Sequence, residues 1–265
     1  MAEQGLRRKI AIEYVLFDMD GLLIDSETIY THVTNDILAE YGKEMTWDMK
    51  AGLMGKPERD AAAHLLSFFP DIPPEFTIDE YIRRRRIGQD AFWPFVQPLP
   101  GALRLVKHLY QHKIPIAVAT SSQRRNYELK SQHLMETLFG HFGGRVVCAD
   151  DGLIKAGRGK PHPDIFLVTA RTCLERDVGE GEIGEYVVTE TQLAERARGL
   201  IFEDAIPGVQ AGKNAGMQVV WVPDPNLLEV GDNENTILQK PDQILKSLED
   251  FNPEEWGLPP YDDES

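Results

Sequence analysis

Two aspartates two residues apart, Asp18 and Asp20, end an apolar run and enter a turn marked by Gly21. The run over residues 10–17 is long enough for a strand buried on both faces. Asp18 then stands at the carboxyl end of that strand, the edge of a parallel sheet where ligands bind. Acids placed there are divalent-cation ligands, a nucleophile with an acid/base partner, or both. Taken alone, an aspartate capping a turn followed by Asp20-Gly21 as ordinary turn chemistry is the simpler account.

Three later segments carry matching chemistry. A short buried strand over residues 114–119 runs into Thr120-Ser121-Ser122. Hydroxyls ahead of a helix amino terminus suit an anion, and a Ser/Thr strand end is at least as often a plain helix cap. Lys160 sits between Gly159 and Pro161 before another helix, a place that a surface lysine also fills. Glu203 and Asp204 follow the apolar run 200–202, and two acids after a buried strand are costly unless paired or bound to metal.

Asp18, Asp20, Thr120, Lys160 and Asp204 form one consistent chemical set, each at a strand end or in the turn after it. Carboxylates from two strands would hold Mg²⁺, a hard cation that takes oxygen ligands. Such a site would neutralise a phosphate beside a carboxylate and let Asp18 attack phosphorus to form an aspartyl-phosphate. Lys160, the Thr120 hydroxyl and Ser121 would balance charge on the transferring oxygens. Asp20 would protonate the leaving alcohol and then activate water.

The elements that position this set alternate in type. Strands are expected at residues 145–148, 200–202 and 218–222, besides the two already named, with helices at 102–112, 164–174 and 209–215 between them. Between the first aspartates and about Pro98 the apolar period is helical, as in Ile29, Val33, Ile37 and Leu38 and again in Ala61, Leu65, Leu66 and Phe69. The expected architecture is an α/β, doubly wound parallel-sheet core of residues 1–25 and 98–265 with a small α-helical cap of residues 26–97. The insert leaves directly after the two acids, so it hangs over them as a lid.

Composition sets the limits. Of 265 residues, 42% are hydrophobic and 27% charged, which is ordinary for a globular chain with a sizeable core. A formal net charge of −15 argues against a nucleic-acid surface and against anionic membranes as partners. Cys148 and Cys173 have no metal-type spacing and are expected as reduced thiols. No apolar run approaches the roughly 18 residues of a membrane span, and residues 1–9 are polar. A monomer in the cytoplasm is expected, with the nucleus as a second compartment.

The motifs together resemble the haloacid dehalogenase superfamily of phosphatases, and the resemblance spans nearly the whole chain. Asp18-Met19-Asp20-Gly21 is similar to the family's first motif, Thr120 to the second, Lys160 to the third and Glu203-Asp204 to the fourth. It implies Asp18 as nucleophile and Asp20 as general acid/base. It also implies Mg²⁺ held by Asp18, the Asp20 backbone carbonyl and Asp204, with Glu203 supporting the metal's outer shell. The helical insert matches the cap position of the subgroup that includes β-phosphoglucomutase and many small-metabolite phosphatases. Dehalogenases of the superfamily lack an acid at the position of Asp20, so phosphate chemistry is implied. Leu53-Met54-Gly55-Lys56, Ala215-Gly216-Met217-Gln218 and Trp256-Gly257-Leu258-Pro259 further resemble pseudouridine-5′-phosphatases and their relatives.

Other features carry less. Lys56 and Arg59 follow Gly55 in an expected cap turn, where they face either a substrate's leaving group or solvent. Arg83-Arg84-Arg85-Arg86 points around all faces of a helix, so one or two at most reach a cleft. The acidic segment 177–198 reads as a surface insertion. The resulting function is hydrolysis of a small phosphorylated metabolite: a sugar phosphate, a polyol phosphate or a nucleoside monophosphate such as pseudouridine 5′-phosphate. A sugar-phosphate mutase uses the same machinery and is not separated by motifs. A phospho-accepting signalling module is much shorter and lacks the insert, and a catalytically silent scaffold has no need of the full set.

Overall fold

The computed structural model describes residues 11–53, 58–182, 184, 186–229 and 240–262. Its sheet holds six parallel strands in the order β3-β2-β1-β4-β5-β6. They are β1 Tyr14–Phe17, β2 Ile116–Thr120, β3 Val146–Cys148, β4 Gly199–Glu203, β5 Gln218–Trp221 and β6 Gln243–Ile244. Parallel neighbours require crossovers, which the intervening helices supply. The order reverses between β1 and β4, so the carboxyl ends of these two strands flank the crevice where doubly wound sheets bind ligands.

Residues along a strand alternate between faces, and here both faces are covered. Val15 and Phe17 pack with Ile116, Val118, Leu200 and Phe202 on one side. Tyr14 and Leu16 pack with Ala117, Ala119 and Ile201 on the other. Continuous apolar runs, not alternating ones, are the consequence. Phe202 stacks on Phe17 with ring centroids 5.1 Å apart and meets Phe251 edge-on at 4.8 Å. Phe202→Ala is therefore expected to cost ~3–5 kcal/mol, read as a lowered urea midpoint. An unchanged midpoint would show that this ring does not hold the sheet to its covering layer.

Among the described residues from 26 to 97 the elements are helical, as the period predicts. Helices α1 Ser26–Ala39, α2 Trp47–Leu53, α3 Glu58–Ser67 and α4 Ile78–Phe92 surround a separate apolar cluster that includes Val33, Leu38, Leu65, Phe76 and Tyr81. Asp25 caps α1 by accepting from the Thr28 N–H, and Thr77 caps α4 by accepting from Glu80. Exit and return of this segment are tied together: the Asp25 N–H donates to the Gln97 carbonyl at 2.9 Å and Leu99 N–H to Leu23 at 3.0 Å. The remaining helices are α5 Ala102–Gln111, α6 Arg124–Ser131, α7 Asp164–Leu174, α8 Glu190–Ala197, α9 Ile206–Asn214 and α10 Pro225–Glu229.

The segment 177–198 is mostly a surface segment with a buried anchor. Much of it is exposed, but Val178 and the Arg196 side chain are fully buried. Arg196 donates to the carbonyls of Val178 at 2.6 Å and Gly181 at 3.1 Å, tying the start of the segment to the helix Glu190–Ala197 near its end. Acidic composition hid this anchor, because one guanidinium with five donors satisfies carbonyls that would otherwise be orphaned. No helix among the described residues is long and apolar enough to cross a membrane.

Candidate active site

Asp18 follows β1 directly, its backbone N–H donating to the Phe202 carbonyl at 3.0 Å. The strand thus delivers a nearly buried carboxylate to the sheet edge beside the acids that end β4. Lys160 closes the gap, its Nζ donating to both Asp18 Oδ1 and Glu203 Oε1. Burial pushes the Asp18 carboxyl up; Lys160 pulls it back, while Glu203 and Asp20 push it further up. Burial alone would lower the Lys160 ammonium, and the two carboxylates outweigh it and raise it.

Glu203, fully buried, also accepts from the backbone N–H groups of Asp204 at 3.1 Å and Ala205 at 3.2 Å. A Cβ on Gly208 would lie 1.8 Å from Glu203 Oε1, so only glycine lets α9 start this close to the acid. Asp204 is different. Among the described residues its carboxylate has no ion-pair partner, and burial followed by Glu203, Asp18 and Glu27 raises its carboxyl well above the usual range. Gly21, at φ +77, turns the chain so closely that a Cβ there would come within 2.4 Å of Asp204 Oδ2.

Thr120 ends β2 wholly buried and accepts from the Ser122 N–H at 3.0 Å. Thr120, Ser121, Ser122 and Lys160 border the same cleft as the acids, a space of about 830 Å³. Asp20 faces α6: Lys130 Nζ donates to its Oδ1 at 2.5 Å and the Ser122 hydroxyl to its Oδ2 at 2.7 Å. Burial would raise the Asp20 carboxyl, and Lys130 together with the Ser122 and Ser26 hydroxyls outweighs that and holds it below the usual range.

The cleft's other wall comes from the helical segment. Glu27 pairs with the buried Lys50 at 3.1 Å, and Tyr30, Thr34, Tyr81 and Gln89 face the same space. Arg85 and Arg86 reach it too, both paired with Glu58. Arg83 and Arg84 are instead held by Glu80. Arg59 is not brought to this cleft. Its guanidinium pairs with Asp79 at an exposed position on a neighbouring depression, because α3 turns it toward the start of α4. Lys56 lies outside the described residues.

Sequence reading missed Lys130, Lys50 and Glu27 as parts of the site. A signal was present for Lys130, since it shares a helical face with Tyr127 and Leu134, both buried.

The donor set suits a hard divalent cation. Asp18, Asp20, Glu27, Glu203 and Asp204 meet only Lys160, Lys130 and Lys50, two cations short of balance among the described residues, and a divalent cation taking oxygen ligands would supply that charge.

The family model of haloacid dehalogenase-like hydrolases matches residues 15–222. Over 256 residues the chain is 40% identical to (DL)-glycerol-3-phosphatase 2 of Arabidopsis thaliana, covering 96% of this chain and 94% of that protein. It is 38% identical over 250 residues to a probable pseudouridine-5′-phosphatase of Saccharomyces cerevisiae, covering 94% of this chain and 98% of that one. Among solved structures, a HAD family hydrolase of Deinococcus radiodurans with bound phosphate and sodium has the same fold. Its TM-score is 0.69 at 22% identity, over 95% of this chain and 99% of that one. With the family model covering most of the chain and such relatives matching nearly all of it, this protein belongs to the haloacid dehalogenase-like hydrolases.

Proposed function

We propose that this protein is a Mg²⁺-dependent phosphoric monoester hydrolase that cleaves a small phosphorylated metabolite through an aspartyl-phosphate on Asp18. The observation that carries this reading is the Lys160 ammonium bridging Asp18 and Glu203 beside the Asp204 carboxylate, which has no ion-pair partner among the described residues. Relatives named as a glycerol-3-phosphatase and a probable pseudouridine-5′-phosphatase support the substrate class. A polyol phosphate, a sugar phosphate or a nucleoside monophosphate fits a cleft of about 830 Å³.

Asp18, Asp204 and the Asp20 carbonyl would hold Mg²⁺, with Glu203 behind them. Bound there, the cation would offset the charge between phosphate and carboxylate as a Lewis acid. This chain's own groups do the rest. Thr120, Ser121 and Lys160 bind the phosphoryl oxygens, and Lys160 also orients the Asp18 carboxylate. An Asp18 oxygen attacks phosphorus as the ester bond breaks, and Asp20 supplies the proton to the departing alkoxide. Asp20 then takes a proton from the water that releases phosphate. Residues 26–97 act as a cap over the core of residues 1–25 and 98–265 and exclude bulk water during transfer.

The test is phosphate release by purified protein with Mg²⁺ from a panel of polyol phosphates, sugar phosphates and nucleoside monophosphates. At least one substrate is expected to release phosphate, and EDTA is expected to abolish release until Mg²⁺ is restored. Isomerised sugar phosphate without free phosphate would replace this reading with that of a mutase.

A further inference from the structure

Lys130 is a wholly buried ammonium to which the steps above assign no work. Its Nζ donates to Asp20 Oδ1 at 2.5 Å, to the Tyr30 hydroxyl at 2.8 Å and to Ser122 Oγ at 3.1 Å. The same atom lies 4.4 Å from the centre of the Trp93 ring. Stripping water from an ammonium costs several kcal/mol that pairing repays only in good geometry, and an apolar residue on this face of α6 would avoid that cost. Retention of the charge in such a place calls for a use.

We propose that Lys130 is the positioning residue of Asp20, fixing which of its oxygens carries the transferred proton. An ammonium can only donate, so the oxygen it holds, Oδ1, stays unprotonated. A hydroxyl either donates or accepts, so Ser122 tolerates both states of Oδ2. The mobile proton therefore resides on Oδ2, 2.7 Å from Ser122 Oγ. In the first half-reaction the bond from Asp18 oxygen to phosphorus forms and the ester P–O bond breaks. The electron pair stays on the departing oxygen, which takes the proton from Oδ2.

The helical segment shares in this arrangement. Tyr30 comes from α1 and Trp93 follows α4, so both ends of residues 26–97 contact the ammonium that aims Asp20. A cap seated in this way completes the acid, which couples closure to proton delivery.

The inference rests on the phosphatase reading, and the test separates the two. The parameter kcat/KM reports the first half-reaction alone, and p-nitrophenolate departs without a proton whereas an alkoxide needs one. Wild type, Lys130→Met and Tyr30→Phe are compared on p-nitrophenyl phosphate and on glycerol 3-phosphate, or whichever alkyl phosphate of the panel is cleaved fastest. Lys130→Met is expected to lose ~100-fold on the alkyl ester and under ~5-fold on the aryl ester, the scale of general-acid catalysis. Tyr30→Phe, which keeps the ring and removes one acceptor, is expected to shift the same ratio by a smaller factor. Thermal unfolding of each variant checks the fold, and the tyrosine variant decides if the lysine variant is unfolded. Equal losses on both esters in folded protein would make Lys130 purely structural and overturn its role while leaving the phosphatase standing. A wild-type chain that cleaves only the aryl ester overturns it too, and one that cleaves neither brings down both readings.

Discussion

Asp18→Asn is expected to lower phosphate release by on the order of 10⁴-fold or more while the chain stays folded. Asparagine matches aspartate in shape, and the backbone bond from residue 18 to the Phe202 carbonyl is untouched. Lys160 keeps Glu203 as a partner, so its ammonium is not stranded. What disappears is the anionic oxygen able to form an acyl phosphate, since an amide is a very poor nucleophile toward phosphorus. Acid-quenched protein incubated with substrate is expected to carry phosphate in the wild type and none in the variant. Thermal unfolding of the two proteins compares their folds directly. Near wild-type turnover by Asp18→Asn would move the nucleophile elsewhere, and with it the assignment of Lys160 and Asp204 as its supports.

The parts of this site legible in sequence are those written locally. Each of Asp18, Thr120 and Glu203-Asp204 follows an apolar run that had to be a buried strand, and a parallel sheet places all such strand ends on one edge. The topology therefore brought them together without any pairwise signal. Lys130 was not legible in this way. It sits in the last turn of Arg124–Ser131, and its partner Asp20 lies 110 residues away in sequence. Only its periodicity with Tyr127 and Leu134 betrays the buried face. Lys50 pairs with Glu27 across the helical segment for the same non-local reason.

Charged side chains misled reading in two places. Arg59 follows Gly55 in an expected cap turn where it could meet an anion, yet Asp79 takes it up at the surface. Arg196 sits in an acidic segment that suggests solvent, yet it is buried among carbonyls. A charged side chain's destination is set by which partner the fold places near it, and composition does not encode that. Strand β6 escaped notice because Gln243–Ile244 contains no apolar run and, among the described residues, pairs with β5 alone.

Asp20→Asn tests the division of labour within the first pair of acids. Its amide oxygen can still accept from Lys130 and its NH₂ can donate to Ser122 Oγ, so the side chain keeps its place while losing the ability to exchange a proton. Turnover is expected to fall ~10²–10⁴-fold. The two half-reactions respond differently, which makes the variant informative beyond its rate. With p-nitrophenyl phosphate, departure needs no proton, so Asp18 is phosphorylated quickly and the aspartyl-phosphate waits for a water that no base activates. A burst of nitrophenolate near one per chain, followed by slow release, is the expected trace. With an alkyl phosphate the first half-reaction is slowed as well, and the burst vanishes. Unchanged turnover, or a burst of equal size on both esters, would remove Asp20 from proton transfer. If Asp20 acts as proposed, Lys130→Met is expected to lose less than Asp20→Asn on the alkyl ester, because a mis-aimed acid still transfers some protons and a missing one transfers none.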